Sequence, residues 1–133
     1  MAQSNSFKIL VFGLPGSGKT TFAKKLIKDM AYFNADEVRK MFNDWDFSEE
    51  GRKRQAERMH CLTTLAQGHS VVDFICPYDE YRKEYDVKIW MNTIKEGRFK
   101  DTNQMFEKPS HCNFEIIDYN YDHIIKEIHD KLQ

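Results

Sequence analysis

FKILVFGLPGSGKTT, residues 7–21, decides the fold of this 133-residue chain. Ile9, Leu10, Val11 and Phe12 form a short apolar run that stops at Gly13. Beyond the loop the pattern turns helical, with Phe22, Ala23, Leu26, Ile27 and Met30 on one side and Lys24, Lys25, Lys28 and Asp29 on the other. Between the two lies Gly13-Leu14-Pro15-Gly16-Ser17-Gly18-Lys19-Thr20, which satisfies GxxxxGK[ST], the loop that folds backbone N–H groups around a polyphosphate. A backbone that curls so tightly needs residues without a Cβ, and the spaced glycines supply them. Lys19 then reaches the β- and γ-phosphates, and the Thr20 hydroxyl is a ligand for Mg²⁺. The whole segment through Thr21 meets the anion at the positive end of the following helix. Binding of ATP or GTP is the reading these residues dictate.

Composition narrows the class. With 41% hydrophobic and 31% charged residues the chain reads as globular, and its apolar runs are too short to span a bilayer. Its length predicts one domain over residues 1–133. Twenty basic residues against 21 acidic give a net charge of -1, so no global field draws nucleic acid or an anionic membrane. The opening MAQSNSF lacks a charged segment followed by an apolar core, which predicts no secretory signal and a cytoplasmic protein. Cys61, Cys76 and Cys112 show no CxxC spacing, and the five histidines form no HxxxH or HxH pair, which argues against disulfide and zinc sites. The sequence leaves a homodimer open.

Taken in order, Ala31 to Asn34 reads as a second strand, and Asp36 as the cap of a helix containing Val38, Met41 and Phe42. Ser48 caps a long polar helix running to Gln67, closed by Gly68. Residues 70–75, SVVDFI, are a buried strand, residues 79–85 a brief helix, and Val87 to Met91 a fourth strand. Asn92 to Asn113 reads as a loop or mobile cover, Phe114 to Ile117 as a fifth strand, and Ile124, Ile125, Ile128 and Leu132 mark a terminal helix. Alternating strands and helices predict a three-layer α/β fold, with a five-stranded parallel sheet flanked by helices and ligands at the strand C-termini.

No NKxD-type base-reading signal of a GTPase is present, and an AAA-type ATPase needs a far larger frame. A small-molecule kinase fits. NADEVRKMFN (34–43), FSEEGRKRQAERM (47–59), FICPY (74–78) and GRFKDTNQMFEKP (97–109) resemble, in order, four successive motifs of adenylyl-sulfate kinases. The resemblance implies ATP-dependent phosphorylation of the 3′-hydroxyl of adenylyl sulfate, with Mg²⁺ as cofactor. It places Arg39 and Arg52 on the phosphosulfate and Phe47 and Phe99 on either face of the adenine. Gln55, Ile75, Cys76 and Pro77 fall on the same acceptor side. Asp36 matches the second acid of the family's DGD segment, where a carboxylate orients the acceptor hydroxyl or a metal-bound water.

The chain departs from that pattern at several points. Asn34-Ala35-Asp36 replaces Asp-Gly-Asp, Gln55 stands for asparagine, Glu57 for arginine and Cys76 for serine. The family's basic lid helix is absent after Thr93, so Arg98, between the potential hinge Gly97 and the stacking residue Phe99, becomes the expected catalytic cation of a shortened cover. Asp73 ends the Val71-Val72 run as a metal-water acid would, or is an aspartate satisfied by a neighbouring donor. A polynucleotide 5′-hydroxyl kinase, another nucleoside or nucleotide kinase, and a degenerate nucleotide-binding regulator are the alternatives.

Overall fold

The computed structural model describes residues 6–133, so the start of the polar opening, residues 1–5, lies outside it. The elements run β1 (Lys8–Phe12), α1 (Lys19–Leu26), β2 (Ala31–Asn34), α2 (Ala35–Phe42), α3 (Glu49–Thr63), β3 (Ser70–Phe74), α4 (Asp79–Arg82), β4 (Val87–Met91), α5 (Lys100–Met105), β5 (Phe114–Ile116) and α6 (Asp122–Leu132). All strand pairs are parallel, in the order β2-β3-β1-β4-β5. The expected α/β fold is the observed one.

Strand β1 is central, and its alternation divides the core. Ile9 and Val11 pack with Phe22, Leu26, Ile125 and Ile128 from α1 and α6. Leu10 and Phe12 face the other way, against Val38, Ala56 and Met59 from α2 and α3. A strand covered on both faces needs a continuous apolar run, and that is why β1 reads as the unbroken segment Ile9–Phe12, whereas β3 breaks its run with the buried Asp73. Because every strand is parallel, all five C-terminal ends lie along one edge, with the loop of residues 13–18 at its centre. No described helix is long and apolar enough to cross a membrane.

Several boundaries differ from the sequence reading. Helix α1 stops at Leu26 instead of continuing to Met30, because Lys28 takes a left-handed φ of 42°. Ile27 and Met30 still pack on the same core, so the apolar spacing outlives the helix. Helix α3 stops at Thr63 instead of Gln67, where the Thr63 and Thr64 hydroxyls donate to the carbonyls of His60 and Cys61. Its cap is Ser48, as expected. Helix α4 ends at Arg82 instead of Tyr85. Asp36 does not cap α2. That role falls to Asn34, whose side chain accepts from the Glu37 N–H, because strand passes directly into helix with no intervening loop. Within the segment expected to be loop, six residues form α5.

Candidate active site

The loop after β1 closes on itself. Lys19 Nζ donates to Leu14 O at 2.9 Å, and Ser17 N donates to the same carbonyl at 3.1 Å. At Gly13 a Cβ would lie 2.6 Å from Met91 O, so only glycine lets the loop leave β1 so close to β4. Gly18 precedes α1 with a φ of 91°, and a Cβ there would meet the Tyr119 ring at 2.9 Å. Pro15, Gly16, Gly18, Lys19, Thr20 and Thr21 line a cavity of about 770 Å³. Gly13, Leu14 and Ser17 are the buried residues of the loop and do not line that cavity. Burial lowers the Lys19 ammonium to about 8, against the opposing pull of Asp73 and Asp36. An anion in the cavity favours its charged form.

Asp73 sits one strand away, 2% exposed, opposite Asn34 in the register of β2 and β3. Asn34 Nδ2 donates to its Oδ1 at 2.9 Å, and the Tyr32 hydroxyl donates to its Oδ2. Burial raises the Asp73 carboxyl, while Tyr32, Lys19 and Asn34 oppose that rise. Burial and the bond to Asp73 push the Tyr32 phenol well above its usual range. Asn34 Nδ2 also lies 3.4 Å from Thr20 Oγ1, so the amide bridges the phosphate side to the carboxylate. Asp36 is exposed in the first turn of α2 and lines the same cavity.

The same cavity is lined by Arg39, Phe47, Arg52, Gln55, Ile75, Cys76, Pro77, Arg98 and Phe99, every acceptor-side residue expected from the sequence. Arg39 donates to Asp44 O and Asp46 O, and its guanidinium lies 4.3 Å from the Phe47 ring centroid. Arg52 donates to Phe47 O at 2.7 Å and to Thr102 Oγ1 at 3.1 Å, tying α3 to α5. Gln55 is held by Arg58 and donates to Ala35 O, so it braces α2 against α3. The loop carrying Phe47 is fastened by Asp44 and Asp46. Hydrogen bonds from Arg54 and Arg58 hold the Asp44 carboxyl well below the usual carboxylate range. Phe47 and Phe99 line the cavity and remain 45% and 52% exposed. Arg98 is exposed beside Phe99, its guanidinium 5.6 Å from the ring.

The cover is built as well as short. Asn103 accepts from Gly97 N at 2.8 Å and donates to Gly97 O at 3.0 Å, and Thr93 Oγ1 donates to Ser17 O at 2.7 Å. Sequence reasoning missed Tyr32, Thr102, Asn103 and Tyr119. Tyr119, 60% exposed against Gly18, follows β5, so the rule that ligands gather at strand C-termini was the signal available for it.

A GxxxxGK[ST] loop at the head of a parallel sheet, sharing one cavity with arginines and open aromatic rings, has the form of a P-loop kinase acting on a small molecule. The family model described as Adenylylsulphate kinase matches residues 5–109, and the chain belongs to that family. No curated protein matches it in sequence. Among solved structures it is similar to the APS kinase CysC of Mycobacterium tuberculosis in complex with AMPPNP and APS, with 22% identity, a TM-score of 0.69, and coverage of 96% of this chain and 97% of that one. It is also similar to shikimate kinase from Acinetobacter baumannii in complex with shikimate, with 15% identity, a TM-score of 0.63, and coverage of 97% and 94%. A gluconokinase from Sinorhizobium meliloti 1021 gives 14% identity, a TM-score of 0.63, and coverage of 99% and 93%. At such identities the likeness shows the fold alone.

Proposed function

We propose that residues 1–133, as one kinase domain in the cytoplasm, transfer the γ-phosphoryl group of ATP to the 3′-hydroxyl of adenylyl sulfate. The observation that carries this reading is the shared cavity, which Lys19 and Thr20 line together with Arg39, Phe47, Arg52 and Phe99. Its volume of about 770 Å³ lies in the range of ligand pockets. An open aromatic pair suits a purine, and buried forked guanidinium groups suit phosphosulfate oxygens. The complex of the Mycobacterium tuberculosis enzyme with AMPPNP and APS supports the same pairing of ligands. Asp36 orients the acceptor hydroxyl and takes its proton as the new O–P bond forms, the β–γ bridge breaks and ADP departs. Lys19 stabilises the charge on the moving group, and Arg98 joins it from the cover.

The residues present fit Mg²⁺. Asp73 receives one hydrogen bond on each oxygen, which leaves an acceptor direction free on each, and it shares the cavity with the exposed Thr20 hydroxyl. Mg²⁺ keeps several waters and phosphate oxygens, so one carboxylate and one hydroxyl are enough protein ligands for it. Bound there, it would neutralise charge on the β- and γ-oxygens.

Incubation with γ-labelled ATP and, in parallel, adenylyl sulfate, other nucleotides and a 5′-hydroxyl oligonucleotide tests the reading. Label in adenylyl sulfate, abolished by a chelator, is the expected result. Label only in the oligonucleotide would assign a 5′-hydroxyl kinase, and nucleotide binding without any transfer would assign a regulator.

A further inference from the structure

Arg82 has no part in the chemistry above, yet it is 0% exposed, a full burial that no other charged side chain among the described residues reaches. A buried cation is costly unless its surroundings replace water, so the partners of Arg82 show what it holds. Its Nε donates to Cys76 O at 2.9 Å, Nη2 to Pro77 O at 3.1 Å, and Nη1 to Asp79 Oδ1 at 3.2 Å. The guanidinium also lies 4.5 Å from the Phe12 ring centroid and 4.8 Å from that of Phe106. These contacts belong to three parts of the active-site rim. Phe12 ends β1 immediately before the phosphate loop, Cys76 and Pro77 line the cavity, and Phe106 follows α5 at the exit of the cover.

Two further observations bear on its role. Cys76 adopts a φ of 44°, a left-handed conformation rare outside glycine and asparagine, so something must hold its peptide. Two donors of one rigid fork on consecutive carbonyls do so. The cover also leaves through the same knot. Glu107 N donates to Pro77 O at 2.9 Å, Asp79 N donates to Glu107 Oε1 at 2.8 Å, and Ser110 Oγ donates to Asp79 Oδ2 at 2.6 Å.

We propose that Arg82 is a positioning residue of the acceptor site, holding the Cys76–Pro77 wall and the exit of the cover in register so that both face one acceptor. The proposal rests on the reading that this half of the cavity takes the acceptor, and its test has arms that do not depend on the acceptor's identity. Arg82→Met and Arg82→Lys are made in a chain carrying Cys61→Ser and Cys112→Ser, which leaves Cys76 as the sole thiol. In the parent, burial keeps the Cys76 thiol inaccessible and up to about 12, so maleimide labels it slowly. Losing charge-assisted bonds to the Cys76–Pro77 carbonyls should release the loop and speed labelling about tenfold or more in Arg82→Met, with Arg82→Lys between it and the parent. Affinity for a fluorescent ATP analogue should hold to about twofold, because the phosphate loop keeps its own bonds. The KM for adenylyl sulfate should rise about tenfold while kcat falls less.

Labelling as slow as in the parent, or nucleotide affinity falling in step with the acceptor KM, overturns the proposal. If Arg82→Met does not melt cooperatively, Arg82→Lys decides the same three readouts. If the parent does not phosphorylate adenylyl sulfate, the acceptor reading fails by itself, and the labelling and nucleotide arms still decide what Arg82 holds.

Discussion

Replacing Phe99 with alanine isolates acceptor recognition from nucleotide binding. The ring stands at the start of α5, 52% exposed, so its removal leaves no cavity in the core. Taking a phenylalanine as about 200 Å², roughly 100 Å² of Phe99 is open, and a purine stacked on one face covers about half of that. At about 25 cal/mol per Å², some 50 Å² is worth ~1.3 kcal/mol. This falls within the ~1–3 kcal/mol of base–aromatic stacking and corresponds to about ninefold weaker binding. Phe47 makes a poorer probe, because the Arg39 guanidinium 4.3 Å from its ring centroid would lose its platform along with the substrate. Calorimetric titration of Phe99→Ala with adenylyl sulfate and, separately, with a non-hydrolysable ATP analogue should show the loss for adenylyl sulfate only, at an unchanged melting temperature. Equal losses for both ligands, or none for adenylyl sulfate, would refute the stacking argument.

Other outcomes follow from the same geometry. Lys19→Ala should lower turnover on the order of 10²-fold or more while the protein stays folded, checked by initial rates alongside circular dichroism, since in the proposed reaction it removes the cation that stabilises the transferred group. Arg98→Ala should reduce kcat more than it weakens acceptor binding, and should raise the share of γ-phosphate released to water, measured as free phosphate against phosphorylated product. The Lys19 ammonium titrates near 8 in the folded protein and near 10.5 when unfolded. Between those values the unfolded chain binds the extra proton, so this group's contribution to stability rises with pH across the window. The difference in melting temperature between wild type and Lys19→Met should therefore move in favour of wild type from pH 8 to pH 10.5, read by scanning fluorimetry without nucleotide. A constant difference would place Lys19 in solvent.

Strand β1 was legible because it is a brief apolar run ended by a turn residue, Gly13, as a strand buried on both faces must be. The loop of residues 13–20 was legible because its glycines and Lys19 match GxxxxGK[ST], and the arginines and rings of the same cavity because their order along the chain resembles a family. Helix α5 was not. Lys100–Met105 has no apolar stripe and is too short to form in isolation, so it exists through Thr102 against Arg52 and Asn103 against Gly97. Asn34 as cap was hidden for a related reason, since a residue that ends a strand and starts a helix carries both signals at once. Arg82 carried no signal of its own within the brief helix expected over residues 79–85, because Phe12 and Phe106, which flank its guanidinium, are distant in sequence.

The pairing of Asn34 with Asp73 also limits how such a site can drift. The family pattern that this chain resembles carries an acid at the position of Asn34, whereas here the acid stands across the sheet on β3, 2.9 Å from the amide. An ancestor or descendant holding aspartate at both positions would press two carboxylates together, and one would keep a proton and lose its use near neutral pH. One holding neutral residues at both would leave the Thr20 side of the cavity without that charge. A lineage passing between the two arrangements by single substitutions must cross one of these poorer states, so positions 34 and 73 are expected to change as a pair.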